Sequence, residues 1–358
     1  AQPRIYYQFC KRLYDLGLAQ LCEDPQCHIG IFFVAKKNGK LRLILDCRSS
    51  NRLCRDAPPV RLLTSEGFGS LEVVMPTGAD GERFEPPAAA GGISDVDNAF
   101  HRLRIGPELG SLFAFPMKVP AGAIGAQGSL YRGKRLGRED LVELCAGALP
   151  MGFSWSLYFC QTAMEHQVSR CHIWKDMVIM RDGTGNIVLQ ARRTESLSKR
   201  LFVCTDLESS ERYYVYVDNL GIVSSSAEEA RRQISKLVEH MSSMGLVMHE
   251  TAVSDTQLES LGVVLDFEQL VSTVSAKRGT RIRGAIRALL RRGKCSGDTL
   301  RRLIGHCTFA GLLRRISLAC FSAVYSFMEA AGSEKVSLWT SVREELRCFA
   351  GLVPLLKA

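Results

Sequence analysis

The chain has 358 residues, with 46 Lys and Arg against 37 Asp and Glu, a net charge of +9 and a pI near 9.0. That length is enough to bury a large core in two or three domains, and the basic balance suits a polyanionic partner. Thirteen scattered cysteines without a Cys-x-x-Cys pair argue against a zinc finger, Cys22, Cys27 and His28 included, and point to a reducing compartment. No secretory signal opens the sequence and no apolar run reaches membrane-spanning length, so an intracellular chain (cytoplasm or nucleus) with no membrane partner is expected. The first residue is Ala rather than Met, as in a segment cut from something longer.

In chain order, residues 5–22 carry Tyr6, Phe9, Leu13, Leu16 and Leu21 at roughly helical spacing. A strand at 28–34, the turn Lys36-Lys37-Asn38-Gly39-Lys40 and a returning strand at 41–46 make a hairpin, since Asn-Gly is the strongest short hairpin signal. Its lysines either keep an edge soluble or, with Arg42, meet a triphosphate, where a guanidinium forks onto phosphate oxygens. Residues 76–92, rich in Pro, Gly and Ala, read as a linker or surface insertion. Residues 93–105 begin as a strand bearing Asp95 and turn helical near Asn98; 112–115 form a further strand, and 120–137 a mobile Gly-rich loop.

A helix follows Leu149-Pro150-Met151-Gly152-Phe153, capped by Ser154 or Ser156, with Leu157, Cys160, Met164 and Val168 inward. Residues 171–211 form a self-contained hairpin insertion around Asp182-Gly183-Thr184-Gly185. In Tyr213-Tyr214-Val215-Tyr216-Val217-Asp218-Asn219-Leu220, two strands meet at a two-residue turn, with Asp218-Asn219 as the turn pair. A carboxylate so placed is held rigidly at a sheet edge, either as part of an ordinary hairpin or as an oxygen ligand for a hard cation such as Mg²⁺. Ser226 and Glu229 form a capping box, and the helix behind it buries Ala230, Ile234, Leu237, Val238 and Met241 and ends at Gly245. One more strand covers 261–265. From Lys277 to Arg302 there are ten basic residues and one acid, with Arg283, Arg287 and Arg291 aligned beside the stripe of Ile282, Ile286, Leu289 and Leu290. That face is either solvated or tracks a phosphate backbone. The rest, from Leu303, is helical and mostly apolar.

Several of these stretches, in this order, resemble the reverse transcriptases of retroviruses and retrotransposons. Lys36 to Arg42, with Asp46-Cys47-Arg48 and Asn51, is similar to the fingers hairpin. Ser94-Asp95-Val96-Asp97-Asn98-Ala99-Phe100 is similar to the first catalytic motif, and Leu149-Pro150-Met151-Gly152-Phe153 with Gln161 to the Leu-Pro-Gln-Gly motif. Tyr216-Val217-Asp218-Asn219 is similar to the Tyr-x-Asp-Asp box, and Gly245-Leu246 and Leu261-Gly262 to the two motifs that follow. Six short motifs in the right order extend over about 230 residues. Residues 303–310 resemble, less closely, the region after the palm in retrotransposons of the tyrosine-recombinase group.

The resemblance implies an α+β right-hand polymerase: fingers from 1–92 and 112–148, palm from 93–111 and 149–265, thumb from 266–358. It implies RNA-directed DNA synthesis by a segment of a retroelement polyprotein, with two Mg²⁺ ions (Mn²⁺ as substitute), deoxynucleoside triphosphates and an RNA or DNA template–primer duplex. Asp95, Asp218 and Asn219 take the catalytic positions, and Asp95, the Val96 main-chain oxygen and Asp218 hold metal. Lys36, Lys37, Arg42, Asp97, Asn98, Phe100, Met151 and Gly152 line the nucleotide site; Tyr216, Arg283, Arg287 and Arg291 meet nucleic acid. Phe100 stands where reverse transcriptases crowd a ribose 2′-hydroxyl, although it also suits plain core packing. The sequence departs from the pattern in four places. Asn219 replaces the second Asp, Met151 replaces Gln, and the motif after Gly245 lacks its Lys, leaving His249 as the nearest candidate proton donor. The gap from Gln161 to Asp218 is long, which the insertion explains. A catalytically decayed protein that only binds nucleic acid is the second reading.

Overall fold

The computed structural model describes residues 3–35, 39, 41–74, 89–171, 178–180, 187–190, 212–224 and 226–358. It is a mixed α and β chain in two compact units. The first comprises Ala1–Val60, Val96–Gln167 and Met241–Val247; the second comprises Arg61–Asp95, Val168–His240 and Met248–Ala358.

In the first unit the opening helix, Pro3–Asp15, buries Tyr6, Cys10 and Leu13 on one face. It stops short of the expected residue 22 because Gly17, at φ +67°, takes the left-handed position that ends helices. Ala19–Leu21 is instead a strand, antiparallel to Leu144–Ala146. Gly30–Ala35 and Leu41–Asp46 pair as predicted, Ala35 opposite Leu41, and form a two-stranded ribbon. The expected strand at 112–115 is a 3₁₀ turn, Ser111–Phe113. Its short run of buried apolar residues carries no period that would distinguish the two. Nor is 120–137 an irregular loop: it contains the helix Ala121–Ile124 and a small hairpin, Leu130–Tyr131 against Lys134–Arg135. Arg132 and Gly133, both at positive φ, make the hairpin's I′-like turn, and the Tyr131 hydroxyl donates to the Cys22 carbonyl at 2.9 Å.

The second unit is built on a five-stranded sheet in the order Val178–Ile179, Arg212–Tyr216, Asn219–Ser224, Ala90–Val96, Met248–Ser254. Ala90 to Gly92, expected in a linker, belong to this sheet and pair with Ser224, Val223 and Ile222. Their small size answers to packing. A Cβ on Gly91 would stand 2.7 Å from the Phe267 ring, and one on Gly92 2.5 Å from Ile234. The 171–211 segment is not self-contained where it is described. Val178–Ile179 runs parallel to Arg212–Tyr213, and Ile187–Gln190 parallel to Leu71–Val74. The Asp182–Gly185 turn lies outside the described residues.

The helix Ala227–Ser243 starts at the predicted cap, where the Glu229 amide donates to Ser226 Oγ at 3.2 Å. A meander follows, Gln257–Ser260, Val263–Asp266 and Val271–Val274. Leu261 and Gly262, expected in a strand, are its first turn, both at positive φ. Ala276–Arg292, Gly297–Gly311, Ser322–Ala331 and Thr340–Leu352 then surround a core that includes Ile286, Leu300, Phe327 and Phe349. Burying each such side chain contributes roughly 1.5–3 kcal/mol. No single helix among the described residues is long and apolar enough to cross a membrane; one pair meets that composition only across an 89° bend.

Candidate active site

Asp95 lies near the end of the sheet's fourth strand, and its cross-strand partner is Asn219. Directly opposed residues of an antiparallel pair share a face, with Cβ atoms about 4.5–5.5 Å apart. Tyr216 pairs with Asn219, so the hairpin's turn residues are Val217 and Asp218, not Asp218 and Asn219 as expected. Val217 carries the strain, at φ +58°, a conformation that a β-branched side chain seldom adopts. Positive φ at the first turn residue alone is the II′ pattern, normally given to glycine. The consequence is that Asp218 projects from the turn itself. Summing one Cα–Cα step and one cross-strand spacing puts its Cα within about 9 Å of that of Asp95.

Both carboxylates are only partly buried. Asn219 Nδ2 donates to Asp218 Oδ1 at 2.9 Å, so the residue that departs from the sequence pattern directly holds the one that does not. On the other side of Asp95, His249 Nδ1 lies 3.2 Å from the Asp95 main-chain oxygen and Nε2 3.9 Å from Asp95 Oδ2. The candidate proton donor therefore stands against a proposed metal ligand. Ser94 Oγ ties the same strands together, 2.8 Å from Thr251 Oγ1. Val96 is buried.

The nucleotide-site candidates that are described lie in the first unit. Arg42 is exposed opposite Val34 on the two-stranded ribbon. Lys36 and Lys37 lie outside the described residues. Gly152 is needed where it stands: a Cβ would meet the Leu45 main-chain oxygen at 2.5 Å. Its carbonyl accepts from Asn51 Nδ2 at 3.1 Å while Asn51 Oδ1 accepts from the Ser154 amide at 2.9 Å. Met151 and Gly152 line a mostly apolar cavity of about 170 Å³ with Leu45, His101 and Phe115. Asp97 is held by Arg102, whose guanidinium reaches its carboxylate at 3.0 Å, and by Asn98 Nδ2 at 2.7 Å. Asn98 sits at φ +52° and leads into the short helix Ala99–Arg102. Phe100 is half-buried. Ser156 does not cap the next helix; its hydroxyl donates to the Pro150 carbonyl, and Leu157 is exposed whereas Cys160, Met164 and Val168 are buried.

The basic helix Ala276–Arg292 buries Ile282, Ile286 and Leu289. Arg283 turns inward, half-buried with Nε enclosed, while Arg287 and Arg291 face out together with Lys277, Arg281 and Arg292. The aligned trio of the sequence reading is thus split, because Arg283 falls at the border of the apolar stripe. Tyr216 is half-buried against the cluster around Phe68 and Leu313 rather than fully presented. Glu250, beside His249 and 3.9 Å from its Nε2, was not anticipated. Glu250 sits at φ +51°, out of regular strand geometry, and nothing in the sequence signals that angle.

No family model matches the sequence, and no curated protein matches it. Among solved structures, the chain is similar to a foamy viral protease–reverse transcriptase in complex with double-stranded DNA. One such structure aligns with a TM-score of 0.58 at 14% identity, over 99% of this chain and 48% of the other. A second aligns with a TM-score of 0.56 at 16% identity, over 99% of this chain and 57% of the other. This chain spans about half the length of those proteins, and at such identities the likeness is one of fold: the chain has a reverse-transcriptase-like fold.

Proposed function

We propose that this chain is the polymerase segment of a retroelement, extending a primer 3′-hydroxyl with deoxynucleotides on an RNA template. The observation that carries the reading is the pairing of Asp95 with Asn219, which brings Asp218 on the adjoining turn to the same end of the sheet. On this reading the five-stranded sheet is the palm, the 30–46 ribbon belongs to the fingers and the helices from Ala276 to the thumb.

The donor set suits Mg²⁺. Asp95 and Asp218 offer hard oxygen ligands that are partly open to solvent, and the Val96 carbonyl is a third. The amide of Asn219, with its nitrogen turned to Asp218, keeps its own oxygen for a further weak ligand. Two Mg²⁺ ions, when bound, supply charge neutralisation at the attacking and leaving oxygens. Asp95 and Asp218 then fix the position of that charge, and Asn219 orients Asp218 while removing one negative charge from the site. Arg42, with Lys36 and Lys37, grips the triphosphate, aided by Met151 and Gly152. Phe100 crowds a 2′-hydroxyl, and Arg287 and Arg291 with their exposed neighbours follow the duplex backbone.

The missing carboxylate at 219 favours a second reading, a nucleic-acid binder that keeps the fold without the chemistry. Primer extension on an RNA template, in Mg²⁺ and then in Mn²⁺, separates the two. We expect extension by the unmodified chain, a gain in Asn219→Asp that is clearest in Mg²⁺, and loss of all activity in Asp218→Asn. Duplex binding without extension by the unmodified chain or by Asn219→Asp, in either metal, establishes the second reading.

A further inference from the structure

The strand Met248–Ser254 flanks Ala90–Val96 on the side away from Asn219. Consecutive side chains of a regular strand point to opposite faces, so His249 and Glu250 should not meet. Glu250, however, sits at φ +51°, in the left-handed region, and the alternation is broken there. His249 consequently stands against Asp95, and Glu250 against His249. His249 Nε2 is 3.9 Å from Asp95 Oδ2 and 3.9 Å from Glu250 Oε1, and the three donor atoms all lie within 4.8 Å of one another.

The imidazole is also oriented for a ligand's task. Its Nδ1 is 3.2 Å from the Asp95 main-chain oxygen. A carbonyl oxygen can only accept, so Nδ1 carries the hydrogen, and in the neutral ring Nε2 keeps its lone pair. A hydrogen bond from the far nitrogen is how metal-binding imidazoles are held and made more basic. We propose that Asp95, His249 and Glu250 form a seat for one divalent cation of the first transition row, Mn²⁺ or a later neighbour, in preference to Mg²⁺. One imidazole nitrogen with two carboxylate oxygens favours those ions, whereas Mg²⁺ prefers oxygen alone. Bonds of about 2.1 Å bring neighbouring donors to about 3.0–3.4 Å, so the two 3.9 Å pairs have to close by roughly half an ångström to one ångström and the third, within 4.8 Å, by up to roughly 1.8 Å. His249 and Glu250, 45% and 78% exposed, can do so without disturbing the core.

Cation binding needs only these three side chains. Its bearing on DNA synthesis rests on the polymerase reading, since the seat shares Asp95 with the proposed catalytic site. A chain without the second box carboxylate then draws substitute donors from the opposite neighbouring strand.

The test is an electron paramagnetic resonance titration of the full chain with Mn²⁺, without nucleotide or template, followed by pulsed measurement of nitrogen coupling. We expect bound Mn²⁺ with a ¹⁴N modulation, displaced only by a large excess of Mg²⁺. His249→Gln should abolish the modulation, and His249→Gln and Glu250→Gln should each weaken binding about tenfold or more. Asn219→Asp, on the other strand, should leave the modulation in place. Mn²⁺ bound without ¹⁴N coupling, an affinity unchanged in both Gln variants, or equal displacement by Mg²⁺ overturns the proposal, leaving a His249 that merely bridges two carboxylates. Coupling in a chain inert in primer extension upholds the seat and counts against the polymerase reading; extension without coupling does the reverse.

Discussion

Two long hairpins among the described residues are the same supersecondary unit in opposite circumstances. Arg212–Tyr216 with Asn219–Ser224 lies inside a five-stranded sheet, and Tyr214, Leu220, Ile222 and Val223 are each at most 2% exposed. Gly30–Ala35 with Leu41–Asp46 is a two-stranded ribbon whose Phe32, Phe33 and Val34 are 47–49% exposed and whose Leu41 is 65% exposed. An isolated hairpin is marginally stable in water, whereas a hairpin packed on both edges inherits the stability of its sheet. The buried hairpin therefore sustains a strained turn at Val217 and still presents Asp218 in one place. The ribbon carries Arg42, a long and exposed side chain that the proposed function puts on the triphosphate. Rigid placement goes with the carboxylate, and adaptability with the cation.

The largest test of that contrast is Gly221→Ala. A Cβ at 221 would stand 2.2 Å from the Tyr214 ring, which packs edge-on against Phe68 and bonds through its hydroxyl to Ser260 Oγ. The ring cannot retreat, so the substitution should cost the upper part of about 1–3 kcal/mol and lower the melting temperature measurably by circular dichroism. An unchanged melting temperature would show that the hairpin is looser than its burial implies.

Next in size is a pH effect on the same hairpin. Burial pushes the Tyr214 phenol up to about 12, against its ordinary value near 10. The folded state therefore holds this proton where the unfolded chain has released it. The contribution is complete below pH 10 and is lost as pH rises through the folded value, an effect on the order of 2 kcal/mol. Tyr214→Phe should flatten that part of the alkaline stability curve in denaturant titrations at pH 9 to 11. A slope identical to that of the unmodified chain counts against a sealed hairpin.

What could be read from sequence divides along similar lines. The 30–46 hairpin, the capped helix at 227 and the apolar stripe of 276–292 follow from local signals, turn chemistry and period, and stand as expected. Ala90 to Gly92 were illegible because composition cannot distinguish glycines that loosen a loop from glycines that admit Phe267 and Ile234. The turn at 217–218 was misread because Asn and Asp are the usual residues at positive φ, while here the register with Asp95 fixes the turn one residue earlier. Motifs single out Asp95, Asp218 and His249, which the structure places at one end of the sheet. Glu250 carries no such signal, since its placement depends on one backbone angle.

The smallest expected effect belongs to the exposed ribbon. Val34→Thr keeps the β-branched shape that suits a strand and replaces one methyl with a hydroxyl. At a buried position that hydroxyl would lack a partner and cost about 1–3 kcal/mol. Val34 is 48% exposed, so water can satisfy the new group. Its neighbour Phe33 already has its packing partner in Phe9, with ring centroids 5.5 Å apart, and the substitution leaves that contact alone. The change in unfolding free energy should therefore stay within about 0.5 kcal/mol, as for most surface substitutions. A loss above about 1 kcal/mol in urea unfolding would mean that the ribbon is covered in solution, and the contrast between the two hairpins would then rest on their turns alone.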